Sequence, residues 1–258
     1  MQIEEIHALW DRLADYPASQ ADSALTDLMK TLCGWMGADD ALWIGAVRMS
    51  SGTAAQRDLQ KGWRGRIVRR LKPPTPDVLE RTMRAMREQD VDPGLTTRAI
   101  VTKAGTFRVH RLRDGFVDFA ELQRTAHYNV FYRETRIVDR MWAALPVNAD
   151  SESYFVFDHV GSRRRFSVAD VALVQHALRG IKWFHRQILL SHGLLIARHP
   201  LSPAQRRVLL ELLTGKTEKA IAAALGQTPG TTHQYAVELY RKFGVKGRNG
   251  LTALWLGH

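Results

Sequence analysis

The chain has one cysteine in 258 residues, so it has no disulfide framework and its fold rests on its own core. It has no apolar run near the roughly 20 residues needed to cross a bilayer. Its opening, Met-Gln-Ile-Glu-Glu-Ile, is acidic where a secretory signal is basic. A cytoplasmic location away from any membrane is expected. Catalytic signatures are also missing. The ten histidines are scattered and show no metal-type spacing with another His, Cys or acid. His176, His185 and His192 fall close to one face of a helical stretch, where structural roles are the ordinary ones. No Gly-x-Ser-x-Gly nucleophile elbow and no phosphate-binding glycine loop occur. The expectation is a protein that is not an enzyme and holds no metal or cofactor.

What is present begins with charge. The formal net charge is +11 and the isoelectric point about 10.1, a balance that favours polyanionic partners, nucleic acid first and anionic membrane second. Hydrophobic residues make up 45% of the chain, enough for a packed core and too many for wholesale disorder. The cysteine, Cys33, sits in Leu32-Cys-Gly-Trp-Met36 and reads as a small core side chain.

Apolar residues at helical spacing (Ile6, Leu9, Leu13, then Leu25, Leu28, Leu32) predict two helices between about Ile3 and Met36, divided by Pro17 and the Ser19 to Ser23 region. Ala41 to Met49 reads as a strand. The basic tract Lys61 to Lys72 contains glycines that argue against helix, and it reads as a strand or loop with a solvated cationic face. Pro73-Pro74 breaks the chain, and Thr75-Pro76 starts a helix running to about Glu88. Gln89 to Leu95 follows as a loop. Arg98 to Val101 and Thr106 to Arg111 are short strand candidates, Phe116 to Tyr132 leans to helix, and Asp139 to Val147 and Ser153 to His159 are late strands. Gly161 to Arg165 reads as a basic turn. Ser167 caps a long helix reaching about Leu190, with Asp170 completing a capping box. Its stripe of Val171, Val174, Leu178, Ile181 and Ile188, with His185 in the polar slot, is core-like or a seam for a second subunit. Trp43, Trp142 and Trp183 are candidates for the wall of a ligand pocket, with core packing as the other reading.

The last fifth is the most specific part. Ser202-Pro203-Ala204-Gln205 is a helix start with cap, first-position proline and capping-box glutamine. Val208, Leu209, Leu212 and Leu213 give that helix an apolar face, and Gly215 ends it. Thr217 caps a second helix with Ile221, Ala222 and Leu225, and Gly226 turns the chain. Thr228-Pro229 opens a third. On it Thr232, Ala236, Leu239 and Phe243 share one face, and Gly230, His233, Gln234, Val237 and Arg241 the other. Gly244 stops it, and Leu251, Leu254 and Trp255 mark a fourth. Gln234 has the groups to bond an adenine edge, His233 to meet guanine or thymine, and Val237 to meet a thymine methyl. Lys219, Arg241 and Lys242 are suited to phosphates.

The series Leu201-Ser-Pro…Val208-Leu…Gly215…Lys219-Ala-Ile-Ala222…Leu225-Gly…Thr231…Lys242-Phe-Gly-Val245…Arg248 resembles the C-terminal DNA-binding domain of the LuxR family, also called the GerE domain, over about 55 residues without a gap. The resemblance implies a helix-turn-helix whose third helix enters the major groove. It implies base-edge contact by His233, Gln234 and Val237, and backbone contact by Thr231, Tyr235 and Arg241. Thr217 and Lys219 would touch phosphates from the second helix, and Lys242 and Arg248 lie in the same basic region. Gln205, Ala220, Thr232, His233 and Tyr235 depart from the residues usual in the family, so a target sequence does not carry over from relatives. Many members carry a phosphoacceptor receiver domain. Here Asp39-Asp40 precede the strand rather than follow it, and no acceptor Asp with a partner Lys appears.

The expected architecture is an α+β sensory-type domain followed by an all-α four-helix LuxR-type helix-turn-helix domain. The boundaries expected are 1–192 for sensing and dimerisation, 193–200 for a linker and 201–258 for DNA binding. The stretch Tyr154-Phe-Val-Phe-Asp followed by Arg165-Phe-Ser-Val-Ala-Asp loosely resembles the end of a GAF-like or PAS-like domain. The expected function is a transcriptional regulator that binds double-stranded DNA as a homodimer under a possible small-molecule effector. The alternative is a sensory or scaffold protein whose helical domain docks a protein partner.

Overall fold

A computed structural model describes residues 3–89, 93–161, 164–195 and 199–257. The chain divides into two compact units, one formed by Met29–Gly180 and the other by Met1–Leu28 together with Ile181–His258.

The Met29–Gly180 unit is built on a five-stranded sheet. Its strands are β1 (Asp40–Arg48), β2 (Trp63–Arg70), β3 (Arg108–Arg111), β4 (Ile137–Asn148) and β5 (Ser151–Val160). The spatial order is β2-β1-β5-β4-β3, with every neighbouring pair antiparallel. The helices introduced here are α2 (Ala21–Met36), α3 (Gly52–Arg57), α4 (Pro76–Gln89), α5 (Gly94–Val101), α6 (Phe119–Gln123), α7 (Ala126–Tyr128) and α8 (Val168–Arg179), with a π turn over Asn129–Arg133. Helix α2 crosses the boundary between the units, and α1 is Ile3–Ala14.

Strand alternation sorts the sheet into two faces. Trp43 stands opposite Phe155, and Phe155 opposite Ala143, so these side chains share one face with Phe157 and Met141. All five are buried, as are Met29, Leu32 and Cys33 of α2 and Val174, Ala177 and Leu178 of α8, which packs on β3 and β4. Burial pushes the Cys33 thiol up to about 12, so the cysteine is the inert core side chain its apolar setting suggests. The other face carries Leu42, Ala46, Tyr154, Val156, Trp142 and Ala144, packed with Ile100 and Val101 of α5, Leu122 of α6, Leu112 and Tyr132.

That second face also buries charge. Arg108 donates to both oxygens of Glu152 (3.0 and 2.9 Å), to the hydroxyl of Tyr154 (2.9 Å) and to the carbonyl of Ile100 (3.0 Å). The Arg108 and Glu152 side chains are 5% and 0% exposed. Burial alone would lower the guanidinium pKa, but the bond and charge of Glu152 hold it above its usual value. Arg140 forms a second fork, on Asp158, at 2.6 and 2.7 Å, and the Tyr132 ring packs against the same guanidinium at 5.0 Å. Bidentate geometry is what makes such burial tolerable.

Three expectations are corrected here. Arg98 to Val101 is not a strand but the end of helix α5, although the stretch is rich in β-branched residues. Thr96 and Ile100, four residues apart, are both buried on its inner face, and tertiary packing overrides the weak propensity. Phe116 to Tyr132 is not one helix. Asp118 caps α6 and Thr125 caps α7, and each internal cap restarts the chain. The helix opened by Ser167, whose capping box with Asp170 forms, stops at Gly180. Ile181 leaves helical geometry (φ −107°, ψ 44°) and α9 (Lys182–Ser191) begins anew. Val174, Leu178, Ile181 and Ile188 are at most 1% exposed and Val171 is half-buried, so most of this stripe is core. The loop expected at 89–95, the turn at 161–165 and the linker at 193–200 lie partly outside the described residues.

The other unit holds α1, the start of α2, α9, and four further helices, α10 (Pro203–Leu212), α11 (Glu218–Leu225), α12 (Pro229–Phe243) and α13 (Arg248–Leu256). Arg206 of α10 forks onto Asp22 at 2.6 and 2.8 Å and also donates to the Ser191 carbonyl. Trp255 of α13 lines a small cleft with Leu13, Tyr16, Ala21, Phe184 and Ile188, and Arg186 donates to the Leu254 carbonyl. Helices α1 and α9 therefore group with the C-terminal helices.

Candidate nucleic-acid interface

Helices α10, α11 and α12 open on side-chain caps, and α11, α12 and α13 end at glycines in the left-handed region. Ser202 and Gln205 exchange hydrogen bonds at 3.2 Å in both directions, a complete capping box. The Thr217 hydroxyl accepts from the Ala220 amide, and the Thr228 hydroxyl from Thr231. Gly226 ends α11 in the left-handed region (φ 62°), where the Gln227 amide reaches back to the Ala222 carbonyl. That glycine lets the chain turn sharply between α11 and α12, as a helix-turn-helix requires. Val208, Leu209, Leu212, Ile221, Ala236, Leu239, Phe243 and Leu251 form the core. Thr232 is fully buried, and its hydroxyl bonds the Gln227 side chain at 3.2 Å, so the polar atom is satisfied.

The opposite face of α12 is open. Gly230, Thr231, His233, Gln234, Val237 and Arg241 are all exposed, the split expected from a helix that packs with one stripe and reads with the other. Lys219 on α11 is exposed as well. Among the described residues, the side chains of Lys219 and Arg241 make no hydrogen bond or ion pair, and both are cations facing solvent.

The remaining candidates are tied into the domain. Tyr235 is half-buried against the core. Lys242 is half-buried and donates to the Pro200 carbonyl at 3.4 Å, and Arg248 donates to the Lys216 carbonyl at 2.5 Å. The Thr217 hydroxyl is engaged as a cap, and the Thr231 hydroxyl pairs with that of Thr228 at 2.9 Å. The three carboxylates of the segment also have partners. Glu211 pairs with Lys216 at 2.6 Å, Glu238 receives Gln205 and Gln234, and Glu218 meets His233 Nδ1 at 2.9 Å. Glu218 is the residue that reading the sequence passes over. It lies 15 positions from its partner, and only the crossing of α11 over α12 joins the two.

The tryptophan candidates separate. Trp43 is fully buried, with its indole N–H on Ser153 Oγ at 2.7 Å. Trp142 lies on the opposite face of the sheet, edge-on to Phe116 at 5.2 Å, so the two do not line a common wall. Trp183 is 36% exposed at the start of α9. Among the described residues no group of three His, Cys, Asp or Glu is arranged to hold a metal ion, and no helix is long and apolar enough to cross a membrane.

Among solved structures the chain is similar to SdiA in complex with octanoyl-rac-glycerol, at 12% identity and TM-score 0.49 over 98% of this chain and 96% of that chain. It is also similar to the VqsR LBD domain from Pseudomonas aeruginosa, at 14% identity and TM-score 0.47 over 71% and 96%. A third similarity is to Escherichia coli SdiA, at 13% identity and TM-score 0.44 over 97% and 95%. No curated protein matches. Residues 199–254 match the family model of bacterial regulatory proteins, luxR family, known as GerE. The capped helices, the left-handed glycine turn and the exposed face of α12 thus belong, over residues 199–254, to a domain of the luxR family of bacterial regulatory proteins.

Proposed function

We propose that the chain is a transcriptional regulator that binds duplex DNA, with α12 in the major groove. The observation that carries this reading is the pairing of an exposed polar face on α12 with exposed, unengaged cations at Lys219 and Arg241, on a domain of a regulatory family. His233, Gln234 and Val237 are assigned to base edges. Thr231, Lys219 and Arg241 are assigned to the backbone, with Thr217 presenting the α11 N-terminus to a phosphate. Tyr235 is assigned to the backbone as well, and Lys242 and Arg248 add positive charge at the margin of the reading face. The boundary proposed for the DNA-binding part is 201–258.

Binding is proposed to be dimeric, to two half-sites about one helical turn apart. Sensing is assigned to the part before 193, where the aromatic and charged face of the sheet is the candidate for biasing the domain arrangement through an effector. Such a molecule acts only through different affinities for the two states. No catalytic step is assigned to the chain.

Salt titration tests the reading. Full-length protein on a duplex is expected to lose affinity steeply and log-linearly with added salt. No duplex binding at low salt would overturn the proposal in favour of a helical domain that docks a protein.

A further inference from the structure

The pair between Glu218 and His233 sits on the reading surface. Its side chains are 37% and 66% exposed, and Glu218 Oε2 lies 2.9 Å from His233 Nδ1. An ionised carboxylate has no proton to give. At that distance Nδ1 is therefore the donor, and the ring is held in the tautomer with its proton on Nδ1. While the ring is uncharged, the remaining nitrogen, Nε2, is an acceptor and nothing else. On α12 it stands in the exposed row with Gln234 and Val237.

In the major groove an acceptor finds few partners. Guanine N7 and O6, adenine N7 and thymine O4 all offer lone pairs, and only the amino groups of adenine N6 and cytosine N4 donate. We propose that Glu218 is a specificity-determining residue. By accepting from His233 Nδ1 it leaves Nε2 as a lone acceptor, which selects an amino-bearing base, cytosine or adenine, over guanine or thymine on the contacted strand. The inference rests on the DNA-binding reading above and deepens it. Glu218 positions the group that reads and does not itself touch a base. It occupies the first turn of α11, where a carboxylate is favoured by the helix N-terminus. It also lies close to Tyr240, whose phenol is pushed up by burial first and by Glu218 second.

The test uses the full chain at about pH 9, far above the ordinary range of an imidazole. Binding is measured on duplexes that vary one base pair at a time. The position contacted by His233 is the one whose preference vanishes in His233→Ala. There the wild type is expected to favour an amino base by about five- to tenfold, the scale of a single base-edge contact. In Glu218→Lys the ammonium can only donate, so Nδ1 accepts, Nε2 carries the proton, and the preference turns against cytosine, the one base that offers no acceptor, toward guanine, thymine or adenine N7. The added charge raises affinity on all duplexes alike. In Glu218→Ala the preference collapses to about twofold or less.

Unchanged preference in both Glu218 variants, a wild-type preference for keto bases, or no position sensitive to His233→Ala would overturn the inference while leaving DNA binding intact. Absence of binding to any duplex at low salt would overturn the functional reading and this inference with it. A second measurement is independent of DNA and of any variant. Nitrogen-15 histidine spectra of the wild-type chain are expected to show the proton of His233 on Nδ1, and finding it on Nε2 overturns the inference.

Discussion

Arg108 and Arg241 carry the same guanidinium and do opposite things. Arg108 lies inside the sheet unit, where a carboxylate, a phenol and a carbonyl saturate it. Arg241 lies on α12 with its charge in solvent. The same contrast holds between Arg140, forked on Asp158, and Lys219 on α11. A net charge of +11 is therefore not a single property. In the sheet unit part of the basic content is cancelled locally and organises packing. In the C-terminal helices Lys219 and Arg241 are left in solvent, while all three carboxylates are occupied by neighbours. A basic isoelectric point points to a partner only where the cations are unengaged.

The comparison can be broken most strongly at Arg108. Arg108→Ala leaves Glu152 buried without its cation and is expected to destabilise the protein by about 3–5 kcal/mol. A denaturant midpoint within error of wild type would show that the buried fork is not structural. Next is Gln234→Ala, expected to lower DNA affinity by about 1–3 kcal/mol at a single base pair and to leave folding unchanged. Equal weakening on every duplex would move Gln234 from base reading to backbone contact.

Within the helical unit Arg206 behaves like the sheet arginines, since it forks onto Asp22 as they fork onto their acids. The Asp22 side chain is nearly half exposed, so solvent screening reduces the expected cost of Asp22→Ala to about 1 kcal/mol by thermal melting. A cost as large as that of Arg108→Ala would put Arg206 in the structural class. The smallest stability effect is expected for Arg241→Ala, within about 0.5 kcal/mol. Its signature is in binding: sequence-independent weakening, with a salt slope shallower by about 0.9. An unchanged slope would remove Arg241 from the phosphate contacts.

How far the sequence could be read follows the range of the forces involved. In the C-terminal helices the starts and stops are nearest-neighbour chemistry. Ser202 with Gln205, Thr217, Gly226, Thr228 with Pro229, and Gly244 act within five residues, and each appears in the structure at its expected place. The strands β1, β4 and β5 were legible in the sequence, β1 from a short apolar run and β5 from alternation. Helix α5 was not, because its β-branched composition favours a strand and only burial of Thr96, Ile100 and Val101 selects the helix. The break at Gly180 and Ile181 was hidden for the opposite reason, since the apolar period runs on through it.

The sequence by itself determined the helix-turn-helix, its apolar and polar faces and its family, because caps, turns and the 3.6-residue period are written within a few positions of where they act. Tertiary structure alone decided which charges are engaged. Arg108 meets Glu152 across 44 residues, Arg206 meets Asp22 across 184, and Glu218 meets His233 across 15. Electrostatic pairing depends on distance in space and on burial, and neither exists until the strands have registered and the helices have crossed.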